Sequence, residues 1–287
     1  MKAIYKKEVK SYLTSMIGYV FIFFILLLEG IYFTAYNLQN AYPLFGTTLS
    51  AVTFIFLILV PVLTMKTIAE ERKQKTDQLL LTAPVSVSEI VLGKFLAVAT
   101  VYAIPVLIIC LYPMIMGKYG TVSYAMAYTA VLGFALLGFA QIAVGVFWSS
   151  VTENPVIAAV VTFIVLFVCY MITGIGSLIP DSSMASLACY MLLVLLAAVW
   201  IYHMIRNLWI AAVIGIAGEA ALAITYVVKS TLFEGSIQKF LAVFDITSHF
   251  DNFTNGILDL QGVAYFLSVI IIFLVLTVQT ITKRRWN

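Results

Sequence analysis

Apolar residues occur along this chain in eight long blocks, at roughly 17–37, 44–65, 91–116, 124–149, 155–179, 184–203, 208–228 and 262–282. A helix rising about 1.5 Å per residue needs about 20 residues to cross a hydrocarbon core of about 30 Å, and each block meets that length. The pattern predicts an all-α polytopic membrane protein with about eight spanning helices. The pair 184–203 and 208–228 is joined only by the tight turn His203-Met204-Ile205-Arg206-Asn207. If neither of the two spans, six crossings remain and the termini stay on the same side as each other.

Residues 1–16 predict an amphipathic helix. Tyr5, Val9, Tyr12, Leu13 and Met16 share a face at helical spacing, with Lys6, Lys7 and Lys10 beside it. Such a helix rests in the membrane interface with its lysines toward acidic headgroups. A basic stretch before an apolar run also has the outline of a signal peptide. The run is longer than a signal core and lacks a small-residue cleavage site, so it reads as an uncleaved anchor.

Composition sharpens this picture. The chain is 63% hydrophobic and 10% charged, with a mean hydropathy of +1.08. A soluble domain is about half apolar and a quarter charged, so an ordinary cytosolic enzyme, a disordered chain and a nucleic-acid binder are excluded. Three cysteines, Cys110, Cys169 and Cys189, lie apart inside apolar runs and suggest neither a disulfide framework nor a metal site. Charge distribution sets the expected orientation. With the N-terminus inside, thirteen lysines and arginines fall in inner segments; only Lys118, Lys229 and Lys239 fall outside. Both termini are therefore expected on the cytoplasmic side.

The inner loop 67–90 is the longest expected cytoplasmic piece. Glu70–Leu81 has helix-forming composition, charged first and ending in Leu79, Leu80 and Leu81. Pro84 stops it, and Ser86-Val87-Ser88-Glu89 is a capping-box pattern opening the next helix. The expectation is a short rigid element held out of the bilayer, whose leucines need a partner surface. In this reading Glu71 makes an exposed ion pair of small value.

Polar residues inside the blocks are few. Glu29 falls in the outer half of the first span, where it can snorkel to the interface and serve packing. Glu219 falls near the centre of the seventh, with Gly215 and Gly218 leaving room for a close helix neighbour; a structural and a functional role are both open. Gly138, Gln141, Gly145 and Ser149 make a small and polar stripe on the fourth span, read as a packing face. Pro61, Pro105 and Pro113 are expected to kink their helices. The outer segment 229–261 carries Phe233, Phe240, Leu241, Phe244, Phe250 and Phe253 among its polar residues and predicts half-buried helices. Asp245 and His249 have metal-compatible spacing, but one histidine is weak support. Asn252-Phe253-Thr254 matches the short glycosylation sequon. No P-loop, H-E-x-x-H or G-x-S-x-G motif occurs, and no set of residues supplies nucleophile, base and orienter together, so no enzyme is expected.

Several stretches resemble the ABC-2 type transporter permeases, closest to the gliding-motility-type subgroup. They are Glu8 to Val20 at the entrance, Glu70-Glu71-Arg72 through Thr76-Asp77-Gln78-Leu79-Leu80-Leu81-Thr82-Ala83-Pro84, then Glu89 to Lys94, Thr152-Glu153-Asn154, and Ser248 to Phe266. The family commonly has Gly before the loop threonine, where Lys75 stands, and Glu after it, where Asp77 stands. The likeness covers the chain except about 184–228. It implies a transmembrane domain of the type V exporter kind over 17–287, with a six-helix core and 184–228 as an inserted hairpin. Residues 1–16 would be its connecting helix. Residues 67–90 would be its coupling loop, with Glu70, Glu71, Arg72, Thr76, Asp77, Leu79, Leu80, Leu81 and Pro84 facing an ATPase. The resemblance further implies a separate ATP-binding subunit that holds ATP and Mg, a second permease chain, alike or different, and a bacterial plasma membrane. An exporter subunit is the first reading. A membrane anchor or assembly scaffold with the same docking loop is the second, and a channel or secondary carrier the third. The substrate class stays open.

Overall fold

The computed structural model of the chain describes residues 1–78 and 85–286, and every regular element among them is helical. In chain order the first helices are α1 (Lys2–Thr14), α2 (Met16–Tyr32), α3 (Phe45–Thr53), α4 (Phe56–Thr64), α5 (Ala69–Lys73), α6 (Val87–Ile109) and α7 (Tyr112–Met116). They are followed by α8 (Tyr124–Val151), α9 (Pro155–Ser177), α10 (Ser183–Ile205), α11 (Leu208–Val228), α12 (Ser236–Ala242), α13 (Asp251–Thr254) and α14 (Leu260–Trp286). Six helices are long and apolar enough to cross a membrane, or up to eight if each of two bent pairs is one span. Two compact units result, Met1–Val168 with Ile246–Asn287, and Cys169–Asp245.

In the first unit α8 is the most enclosed helix, packed by α3, α4, α6, α13 and α14. Its small residues explain how. Gly138 admits the ring of Tyr102, whose hydroxyl donates to the Phe134 carbonyl at 2.7 Å; Gly145 admits Thr64, and Gly133 admits Phe250 and Phe253. Lipid is as apolar as leucine, so helices associate here by close fit rather than by escape from water. The stripe expected as a packing face is one.

Two expectations need correction. The block 44–65 is not one straight helix: α3 and α4 meet at Phe54-Ile55 with a 60° bend. Thr53 donates its hydroxyl to the Ser50 carbonyl at 2.7 Å, and the amides of Leu57 and Ile58 bond three residues back, which tightens the turn. The bend thus precedes Pro61 instead of falling on it. Glu29 does not snorkel outward. Helical spacing sets it on the face of α2 that buries Phe21 and Ile25, and it is fully enclosed.

The second unit holds the end of α9, the hairpin α10–α11 and α12. Arg206, in the left-handed region at φ 56°, turns the chain between the two hairpin helices. The glycines beside Glu219 allow a close neighbour, as expected: a Cβ on Gly218 would stand 2.9 Å from Val194 Cγ1, and one on Gly215 3.2 Å from Ala198 Cβ. The segment 229–261 is helical and half-buried. Phe233 and Ile237 are buried in this unit, and Phe250 and Phe253 in the first.

Candidate functional site

The expected coupling loop begins where α4 ends. α5 has no capping side chain of its own, because Ile68 occupies its N-cap position. Ser149, the last residue of the small stripe on α8, supplies the cap from another helix. Its hydroxyl accepts from the Ile68 and Ala69 amides at 3.1 Å each and donates to the Met65 carbonyl at 3.1 Å. One side chain thus satisfies three backbone groups, two of them buried. Arg72 works in the opposite direction. Its guanidinium donates to the Ser150 carbonyl, and to that of Thr152 at 3.2 Å, so it closes the C-terminal end of α8. Burial, then the neighbouring Arg284, push its pKa down, while Glu153 and Asp77 oppose the shift.

The helix expected over Glu70–Leu81 is broken. α5 ends in a Schellman motif: Thr76 donates its amide to the Glu71 carbonyl at 2.9 Å, and Lys75 donates to Arg72 at 3.1 Å. Lys75 stands in the left-handed region at φ 58°, the conformation glycine favours. Helical backbone resumes at Asp77 and Gln78. Leu79, Leu80, Leu81 and Pro84 lie outside the described residues. The capping box is present: Ser86 Oγ accepts from the Glu89 amide at 3.3 Å, and Glu89 Oε2 from the Ser86 amide at 3.4 Å.

Charge gathers around α5. Lys94, on α6, has an ammonium with three donors, and each has an acceptor: Glu71 at 2.9 Å, Glu8 of α1 at 3.1 Å and the Thr67 carbonyl at 2.8 Å. The Lys94 side chain is only 2% exposed. Lys7 stands 3.4 Å from Glu71 and 4.0 Å from Glu8, completing two cations and two anions. Tyr12 seals the inner side. Its hydroxyl donates to the Leu63 carbonyl at 3.2 Å and meets Thr67 Oγ1 at 3.0 Å. Burial raises its pKa, so it stays a phenol. On the other side Arg284 of α14 pairs with Glu153 at 2.6 Å and Asp77 at 3.8 Å. Glu70 pairs with Lys66 at 3.3 Å and accepts from Gln74, while the Thr76 hydroxyl donates to the Glu71 carbonyl at 3.3 Å.

The structure therefore brings Glu70, Glu71, Arg72, Thr76 and Asp77 together in one anchored element. Glu29 and Gln141 are not among its contacts, and Glu219 belongs to the second unit. Both carboxylate oxygens of Glu29 and of Glu219, and the amide oxygen of Gln141, are buried with no hydrogen-bond partner among the described residues. Sequence reasoning missed Glu8, Lys94, Ser149 and Arg284 as anchors. A signal existed for Lys94, a cation on the same helical face as Ile90, Val91, Ala97, Val98 and Val101, all buried.

The helices and the anchored polar loop define a multi-pass α-helical membrane protein that carries no nucleotide-binding or catalytic motif. No group of three His, Cys, Asp or Glu side chains that could hold a metal occurs among the described residues. The chain matches the family described as ABC-2 family transporter protein across residues 2–284, and it belongs to that family. It is a transporter-like permease subunit. No curated protein matches it.

Proposed function

We propose that this chain is the permease subunit of an ATP-driven exporter of the gliding-motility type, with both termini on the cytoplasmic side of a bacterial plasma membrane. A separate subunit binds ATP and Mg and docks on the loop 67–90, and a second permease chain, alike or different, completes the path. The observation that carries the reading is the anchoring of that loop. A segment that only links two spans needs no polar contacts to four other helices. This one is tied to α1 and α6 through Lys94, to α8 through Ser149 and Arg72, and to α14 through Arg284. A push on it reaches all four. Thirteen of sixteen cations on one side support the orientation.

Burying a leucine is worth about 1.5–3 kcal/mol, so the loop leucines can supply much of a modest interface. Leu79→Asp with Leu80→Asp is expected to abolish copurification of the ATPase while membrane insertion persists. If the double variant still binds and stimulates the ATPase like the unmodified chain, the loop is not the docking element. A chain that binds an ATPase without substrate-stimulated turnover supports the scaffold reading instead.

A further inference from the structure

We propose that Lys94 is a positioning residue that makes α1 and the loop one moving body and so passes loop movement to α2; this rests on the reading that the loop receives an ATPase. The loop has two kinds of attachment. Ser149 and Arg72 tie it to α8 by hydrogen bonds to backbone. Its ties to α1 run through one hydroxyl pair, Tyr12 with Thr67 at 3.0 Å, and through charge: the Lys94 ammonium bonds Glu71 of the loop at 2.9 Å and Glu8 of α1 at 3.1 Å, with exposed Lys7 alongside. All three ammonium protons are taken, and the side chain is buried. A displacement that left Glu8 behind would strand a charge away from water, so the buried lysine penalises separate movement of α1 and α5.

The elbow between α1 and α2 carries the displacement onward. Only Ser15 separates the two helices, with extended backbone at φ −94° and ψ 150°. Ser15 Oγ accepts from the Gly18 amide at 3.4 Å, and Gly18 packs directly on the Tyr12 carbonyl, where a Cβ has no room. Tyr12 is itself fixed on Leu63 and Thr67. The first spanning helix thus starts from a joint too tight to absorb a shift of α1. Without Lys94 the loop keeps its α8 attachment, while α1 is left with the single Tyr12–Thr67 contact and the exposed Lys7–Glu71 pair, and loses the buried ionic link that makes α1 and α2 follow.

The test uses the full chain with its copurified ATPase in proteoliposomes. With Cys110, Cys169 and Cys189 replaced by alanine, spin labels at Lys10→Cys on α1 and Gln74→Cys on the loop, both exposed, report their separation by pulsed electron resonance with and without ATP. In the otherwise unmodified chain one narrow distance distribution is expected in both states. Lys94→Met is expected to broaden it and make it ATP-dependent while the ATPase still copurifies. Glu8→Ala, which leaves Lys94 its partners Glu71 and Thr67, is the second variant should Lys94→Met fail to fold; it should broaden the distribution in the same direction. An unchanged distribution in the folded variant overturns the proposal. If no ATPase binds the unmodified chain, the docking reading fails by itself. The width of the distribution without ATP still decides whether Lys94 holds α1 to the loop.

Discussion

Replacing Glu71 by alanine separates two estimates of what this loop is worth. Read as an exposed ion pair, Glu71 contributes about 0–1 kcal/mol. The structure gives it a different partner. Its side chain is 17% exposed, and it sits 2.9 Å from the ammonium of Lys94, which is 2% exposed. A hydrogen bond to a charged group contributes about 1.5–3 kcal/mol, and stranding one member of a buried pair costs about 3–5 kcal/mol. Lys94 keeps Glu8 and the Thr67 carbonyl in the variant, so the cation is not stranded and the lower range applies. Glu71→Ala should therefore destabilise the chain by about 1.5–3 kcal/mol. The contact of Glu71 with Lys7 adds little, because the Lys7 side chain is 67% exposed. The assay is equilibrium unfolding in mixed micelles, run as two double-mutant cycles. Glu71 and Lys94 should couple by about 1.5–3 kcal/mol, and Glu71 and Lys7 by less than about 0.5 kcal/mol. If Glu71→Ala costs no more than Lys7→Ala, the buried pair does not hold the loop.

Two further outcomes follow from the same geometry. Lys75→Gly should stabilise the loop by up to about 1 kcal/mol, since a non-glycine residue in the left-handed region costs about 1–2 kcal/mol and the more flexible unfolded chain offsets part of that; slower amide exchange at Lys75 and Thr76 is the readout, and faster exchange counts against it. Gly138→Ala should destabilise by about 1–3 kcal/mol by pushing the Tyr102 ring off the Phe134 carbonyl; thermal unfolding in detergent measures it, and an unaltered midpoint means that α6 and α8 are not packed there as described.

The spans were legible because the bilayer imposes a length, and an apolar block of about 20 residues has few other uses. Local signals read well for the same kind of reason. Ser86 and Glu89 cap a helix through bonds three residues apart, and Gly215 and Gly218 declare a close neighbour by lacking side chains. The anchors of the loop were not legible as a set. Lys94 is separated from Glu8 by 86 residues and Arg284 from Glu153 by 131, and no periodicity relates positions so distant. The end of α5 was hidden for a different reason. Its turn signal is normally glycine, and here a lysine takes the left-handed conformation under the hold of its Schellman bonds. On α1 the apolar stripe was only part of the pattern: Met16 opens α2, and the face that packs against α6 buries Glu8 beside Tyr12. A charged residue was placed among the apolar ones because its partner, Lys94, comes from another helix.

The polar anchors around α5 fall into two electroneutral quartets with different physical characters. Lys7, Glu8, Glu71 and Lys94 form one, built around a lysine that water barely touches. Arg72, Asp77, Glu153 and Arg284 form the other, in which the Arg284 and Glu153 side chains are 38% and 65% exposed. Salt screens exposed charges within about 10 Å at 0.1 M and reaches buried ones far less. The inner quartet therefore sets the position of α5 whatever the ionic strength, and the outer one adjusts to its surroundings. The outer quartet is also where α14 and the turn after α8 meet the loop. Its contacts can exchange with water at small cost, as can that of Lys7 in the inner one, whereas separating Lys94 from Glu8 and Glu71 exposes a charge with no solvent to receive it. On the proposed coupling role, a loop that moves without detaching needs both kinds of attachment. Chain order supplies them: residues 7, 8, 71 and 94 come from elements packed together at the start of the chain, and residue 284 from its far end.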